Sequence, residues 1–314
     1  MRSKFLILML ILISGVVNFS NVYSKSSTLY VVTRSTQEFR LNQRDNPTVG
    51  LFSTDDNGKS WKHYGWKYTK CFSVSVASLN SNRLFYLSCG NGVQKSDDGG
   101  KNWVITTGWN ITECLKTAID PTNTDIVYAA TAYGIFKTVD GGKTWIEKNQ
   151  GLASTFTPTV IIDPKDHNLL FCATESGVHR STDSGDLWEP IGLLVIGIRT
   201  LIQHPNQSNI LAVGTEDDGV FVSEDYGKTW LQRVEGLTHR TVYALTFAPN
   251  DPNIIYAGTF RGGIFKSTDR AESWETVNNG LRILDIHALL VDPQNKDIVC
   301  FSGRRRRQSS KINR

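Results

Sequence analysis

The groups in this sequence most able to do chemistry are its clustered carboxylates. Glu216, Asp217 and Asp218 are consecutive, and Glu175 holds the matching place one repeat earlier. Glycoside hydrolysis needs two carboxyl groups about 5–10 Å apart, which a pair spanning neighbouring repeats could supply; solvated loop charges are the simpler reading. The six histidines, His63, His167, His179, His204, His239 and His287, are scattered without ligand spacing. Asp55-Asp56-Asn57-Gly58 has the look of a calcium loop but lacks its closing bidentate Glu. No G-x-S-x-G, H-E-x-x-H or phosphate-binding glycine loop occurs. The sequence therefore points to no catalytic group, no metal and no cofactor. The five cysteines contain no C-x-x-C. Cys71 and Cys89, on strands expected to be adjacent, are the best disulfide pair, with buried free thiols the alternative.

The elements that must position these groups are set by an internal repeat. Six segments share a hydroxyl residue, then Asp two positions on, and Trp five positions after that. Their Asp and Trp are Asp56 and Trp61, Asp98 and Trp103, Asp140 and Trp145, Asp183 and Trp188, Asp225 and Trp230, and Asp269 and Trp274. The Asp recurs at steps of 42, 42, 43, 42 and 44 residues, a period that belongs to four-stranded propeller blades. Residues 242–277 read as four strands separated by turn residues, and the same order appears at 115–148, 160–190 and 200–234. The expected fold is all-β: a propeller with a seven-bladed plan and an incomplete last blade, or alternatively six blades. Within each segment the Asp should accept backbone N–H bonds in its own turn. The Trp should return into the blade with its indole N–H near turn acceptors. Ala271 replaces the glycine of the other turns, so that turn should be the most strained.

These segments resemble the Asp boxes of BNR-repeat proteins: bacterial sialidases, sortilin-type receptor ectodomains, xyloglucanases and photosystem II stability/assembly factor-like proteins. Ala118-Ile119-Asp120-Pro121, then Asp125-Ile126-Val127-Tyr128-Ala129-Ala130-Thr131 and Gly134-Ile135-Phe136-Lys137, is similar to the xyloglucanase, sortilin and assembly-factor type of repeat. The resemblance covers about residues 28–303, and it implies fold far more than activity. It implies that the boxes are structural and lie away from the ligand face. It also sets what is missing: the sialidase Arg-Ile-Pro stretch is absent, and xyloglucanases join two propellers where this chain supplies one. The ligand face should be built from fourth-to-first and second-to-third strand loops, which carry Trp66, Tyr68, Trp109, Tyr133, Glu175, Asp217, Asp218, His239, Arg240, Phe260, Arg261, Arg282 and His287. Interleaved aromatic and basic groups suit a protein partner or an extracellular glycan. The expected function is a binding or assembly scaffold, with a glycoside hydrolase as the runner-up.

The ends of the chain carry most of its charge. Residues 1–24 read as a secretory signal peptide, with Arg2 and Lys4 before an apolar run from Phe5 to Val17 that is short for a membrane span. The protein is thus expected to be secreted or periplasmic, with no membrane span after cleavage. The net charge is +4; the signal contributes +2 and the basic tail 304–314 contributes +6, so the body between is net −4. Such a body has no global electrostatic reason to bind nucleic acid. Thr28–Thr33 is expected as the first strand of the first repeat, with an irregular second strand near Glu38–Asn42. After the sixth box, two strands at 286–292 and 297–303 should form a half blade with an exposed edge.

Overall fold

A computed structural model describes residues 28–33, 49–56, 58–66, 69–79, 82–194 and 197–304, together with two short strands at Leu6–Met9 and Asn18–Phe19. The described residues contain strands and no helix, so no helix is long and apolar enough to cross a membrane. Six four-stranded sheets form a ring, with a partial seventh sheet, giving a β-propeller. The third blade shows the plan. Cys114–Ile119 lies innermost, followed outward by Val127–Thr131, Gly134–Thr138 and Ile146–Glu147, each antiparallel to the last.

The alternation of strand side chains explains how the blades stack. Val127–Thr131 is buried on both faces. Val127 and Ala129 pack with Leu84 and Tyr86 of the blade before; Tyr128 and Ala130 pack with Val160, Leu170 and Trp188 of the blade after. With a period of two, one strand thus serves two hydrophobic interfaces. The core is a circle of such inter-blade clusters, and no blade could bury its faces alone.

The first blade departs from the sequence expectation. Leu29–Thr33 is its second strand, paired with Gly50–Thr54 on one side and with Asn18–Phe19 on the other. The reason is visible in the residues: Leu29-Tyr30-Val31-Val32-Thr33 matches Val127-Tyr128-Ala129-Ala130-Thr131, the doubly buried second strand of the third blade. The second strand expected near 38–42 falls outside the described residues. In the seventh sheet, Asp285–Asp292 pairs with Asn295–Arg304 rather than with residues 28–34. The outer edge of Asn295–Arg304, expected to be open, carries Leu6–Met9 in parallel register. Both short N-terminal strands lie within the segment expected to be a signal peptide.

Candidate functional site

The Asp segments build the turns between third and fourth strands, at one end of the ring. In the third blade, Thr138 Oγ1 accepts from the Gly142 amide at 2.9 Å and donates to Asp140 Oδ1 at 2.8 Å. Asp140 in turn accepts from the Thr144 hydroxyl and amide at 2.6 and 2.9 Å. These donors hold the Asp140 carboxyl well below the usual carboxylate range, Thr144's hydroxyl foremost. Asp56, Asp98, Asp183, Asp225 and Asp269 accept from backbone amides in the same way. The carboxylates are fully engaged in their own turns. In the sixth turn Arg270 and Ala271 both take left-handed backbone, φ 61° and 70°. The turn keeps its hydrogen bonds, so the strain expected of Ala271 sits in the backbone.

The tryptophans differ from expectation. Trp188 and Trp274 are buried; Trp61, Trp103, Trp145 and Trp230 are half-buried. Only Trp61 and Trp103 donate to their own turns, at Gly58 O and Gly100 O. Trp188, Trp230 and Trp274 donate instead to Lys148 O, Ile191 O and Arg233 O of the preceding blade.

The opposite end of the ring holds the fourth-to-first and second-to-third loops. Each inner strand of the second, third, fifth, sixth and partial seventh sheets is bulged at its start, between Cys71/Ser73, Cys114/Lys116, Ile198/Thr200, Val242/Ala244 and Ile286/Ala288. A bulge leaves one residue unpaired and re-aims it. The five bulged residues, Phe72, Leu115, Arg199, Tyr243 and His287, all line the central channel, a cavity of about 640 Å³. They form a ring of aromatic, apolar and cationic groups at the channel mouth, carried on a constant scaffold. No Asp or Glu lines the channel among the described residues. Lys116 sits just behind the ring and donates to Thr159 Oγ1 at 2.9 Å. Protein surrounds it, although the water-accessible channel leaves it only half-buried, and this desolvation lowers its pKa to about 8.

Several expected face residues converge on this mouth. His287 stacks on Tyr243 with ring centroids 4.7 Å apart, Tyr243 meets Phe260 edge-on at 5.9 Å, and Arg261 lies over Phe260 at 4.8 Å. The Arg261 amide donates to Asp285 at 2.9 Å. On the far side of the mouth Trp109 is 98% exposed, with Tyr133 55% exposed. Their loops are joined where the Ala132 amide donates to Glu113 O, and the next loop, with exposed Phe156, joins where the Thr157 amide donates to Thr131 O. His239 packs on Phe265. Arg240 and Arg282 are exposed on neighbouring loops, and Trp66 is half-buried. Tyr68 lies outside the described residues. Glu175 is exposed on one turn and Asp217 and Asp218 together on the matching turn of the next blade, where Glu216 is ion-paired with Arg199.

Sequence reading found His287 and missed Phe72, Leu115, Arg199, Tyr243 and Lys116. The signal for Lys116 was present: the equivalent inner positions hold Ser73, Thr159, Thr200, Ala244 and Ala288, all small.

A sequence profile for the family described as sortilin, neurotensin receptor 3, matches residues 218–314. No curated protein matches the chain in sequence. Among solved structures, YCF48 from Cyanidioschyzon merolae is similar at TM-score 0.65 and 15% identity, covering 90% of this chain and 91% of that one. YCF48 bound to a D1 peptide gives 0.63 and 16%, covering 89% of each. The GH74 enzyme of Niastella koreensis gives 0.69 and 16%, covering 90% of this chain and 50% of that one. An ancestral GH74 enzyme is covered over 33% of its length, so this chain spans half or less of those two enzymes. At such identities the likeness is one of fold. The chain is a β-propeller like those of the sortilin and YCF48 proteins.

Proposed function

We propose that this protein is an exported, non-catalytic scaffold whose channel mouth holds an extended segment of a partner protein. The ring of bulged residues carries the reading: five blades spend a bulge to turn Phe72, Leu115, Arg199, Tyr243 and His287 toward one opening. Aromatic and cationic groups clustered around a concavity are the usual anchors of a recognition surface. The exposed Trp109, Tyr133 and Phe156 extend that surface outward over consecutive blades. Lys116 behind the ring, with no Asp or Glu among the described lining residues, favours a segment bearing carboxylates, which would compete with Glu216 for Arg199. YCF48, similar in fold and length, has been captured with a peptide, which supports a protein ligand over a glycan. Export rests on residues 1–24 acting as a signal peptide. Cleavage after Ser24 would remove both N-terminal strands and open the edges of Leu29–Thr33 and Asn295–Arg304 to further strand pairing.

The test is selection of the purified chain against a displayed random-peptide library beside a glycan array. Enrichment of acidic peptides, weakened by salt and by Trp109→Ala, supports the proposal. Selective glycan binding, or turnover of xyloglucan lost on changing Glu175 or Asp217, contradicts it. N-terminal sequencing of the exported protein tests the cleavage.

A further inference from the structure

The second blade differs from its neighbours at one position that bears on the mouth. Five blades end their second strand in a threonine, Thr33, Thr131, Thr174, Thr215 and Thr259. In the last four the hydroxyl donates across the following turn, to Gly134 O, Gly177 O, Gly219 O and Gly263 O, at 2.9 to 3.2 Å. The second blade has Cys89 there. Its sulfur lies 2.7 Å from that of Cys71, the residue directly opposite on the inner strand. Both cysteines are free thiols in this structure and both are buried.

We infer that Cys71 and Cys89 form a cross-strand disulfide that replaces the threonine tie of those four blades. Directly opposed residues on antiparallel strands have Cα atoms about 4.5–5.5 Å apart, within the span a disulfide bridges without moving the backbone. The other three cysteines are placed differently: Cys114 faces Thr131, Cys172 faces His179, and Cys300 faces Leu290. The bond has a defined consequence, because Cys71 immediately precedes the bulged Phe72. Joining Cys71 to Cys89 fixes the start of the bulge that presents Phe72 to the channel.

Chemically, the two thiols lose two protons and two electrons to a disulfide-bearing oxidant, which is reduced to two thiols as the Cys71–Cys89 bond forms. In the folded chain burial raises the Cys89 thiol well above its ordinary pKa. The nucleophilic thiolate is then scarce and out of reach of an oxidant. The bond therefore forms while the second blade is folding, before the first blade closes over it.

The experiment counts thiols in the full chain, which has five cysteines. One sample is refolded from the reduced, denatured state in oxidised glutathione. A second is folded under reductant, then exposed to the same glutathione. Both are unfolded without reductant and alkylated with iodoacetamide. The refolded sample is expected to take three labels, with one linked peptide joining residues 71 and 89, and the prefolded sample five. Cys89→Thr, which restores the threonine tie, is expected to take four labels in either arm. Five labels on the refolded wild type, or a link through Cys114, Cys172 or Cys300, overturns the inference. Three labels in both arms overturns the order of events.

Discussion

The first two boxed blades and the fourth and sixth carry the same eight-residue turn but use its tryptophan differently. Trp61 and Trp103 close on their own turns and stay half-buried. Trp188 and Trp274, 1% and 4% exposed, reach into the blade before. Beyond the indole bonds, their backbone amides donate to Gln150 O and Glu235 O, both at 2.9 Å. What differs is how the linker ahead meets the tryptophan. Gly151 and Gly236 follow those acceptors with φ 88° and 77°, and a Cβ at either would lie 2.1 or 2.2 Å from the tryptophan's carbonyl oxygen. Only glycine lets the turn come this close. Gly65 and Gly192 stand at the same place ahead of Trp103 and Trp230, but a Cβ there would meet the indole ring and not the tryptophan's backbone, so the close backbone seat is confined to Gly151 and Gly236. A box seated in this way is a bolt between blades. The linker after the sixth blade repeats the glycine at Gly280, φ 84°, where a Cβ would meet nothing within 4 Å.

The largest expected effect is loss of a bolt. Trp188→Ala should lower unfolding free energy by about 3–5 kcal/mol, and Trp103→Ala by roughly half as much because its ring is half-exposed. Equal losses in urea titrations would erase the distinction. Next, Gly151→Ala and Gly236→Ala should each cost about 3 kcal/mol, combining left-handed strain with a backbone clash. Gly280→Ala, with strain alone, should cost about 1 kcal/mol.

A smaller effect should strike both regions alike. The box aspartates have carboxyl groups held below their unfolded range, as at Asp98 through the Asn102 amide and at Asp140 through Thr144. A depressed folded pKa contributes stability above the unfolded value of about 3.9. That contribution is lost as pH falls below it toward the folded value. Burial lowers the pKa of His179 and His204, so the urea midpoint should begin to fall as pH drops below about 6.5; the aspartates should add a further decline below about pH 4, less steep in Asp140→Asn. Smallest of all, Ala271→Gly should raise stability by about 0.5 kcal/mol by relieving the left-handed alanine, less the entropy glycine adds to the unfolded chain. A loss there would mean that packing of the Ala271 methyl outweighs the strain.

The repeat was legible in the sequence because Asp, Gly and Trp recur at blade period, and they dictate the box turns and the inter-blade cores. The second strand of the first blade was legible too, in the pattern of an apolar residue, Tyr, two small or apolar residues and Thr that Leu29–Thr33 shares with Val127–Thr131; the longer run from Thr33 to the first box hid it. The direction of each tryptophan was not readable in the sequence, since a glycine stands 37 or 38 residues ahead of Trp103, Trp188, Trp230 and Trp274 alike and only the fold shows which of them seats the tryptophan's backbone. The mouth was least legible. A bulge breaks the period-two alternation on which inward and outward assignments rest, so Phe72, Arg199 and Tyr243 read as ordinary strand residues. The carboxylates and the exposed Trp109 were recognisable, yet only the ring of inner strands shows which loops share one opening.

The most direct measurement of the central claim is the affinity of a library-selected peptide for wild type and for the double variant Arg199→Ala, Tyr243→Ala. Both side chains face the channel and leave the inter-blade cores intact. The account predicts at least tenfold weaker binding by a variant that stays folded, its melting temperature lowered only by loss of the Tyr243–His287 stack and the Arg199–Glu216 pair. Unchanged affinity in the folded double variant would contradict the assignment of the channel mouth as the binding site.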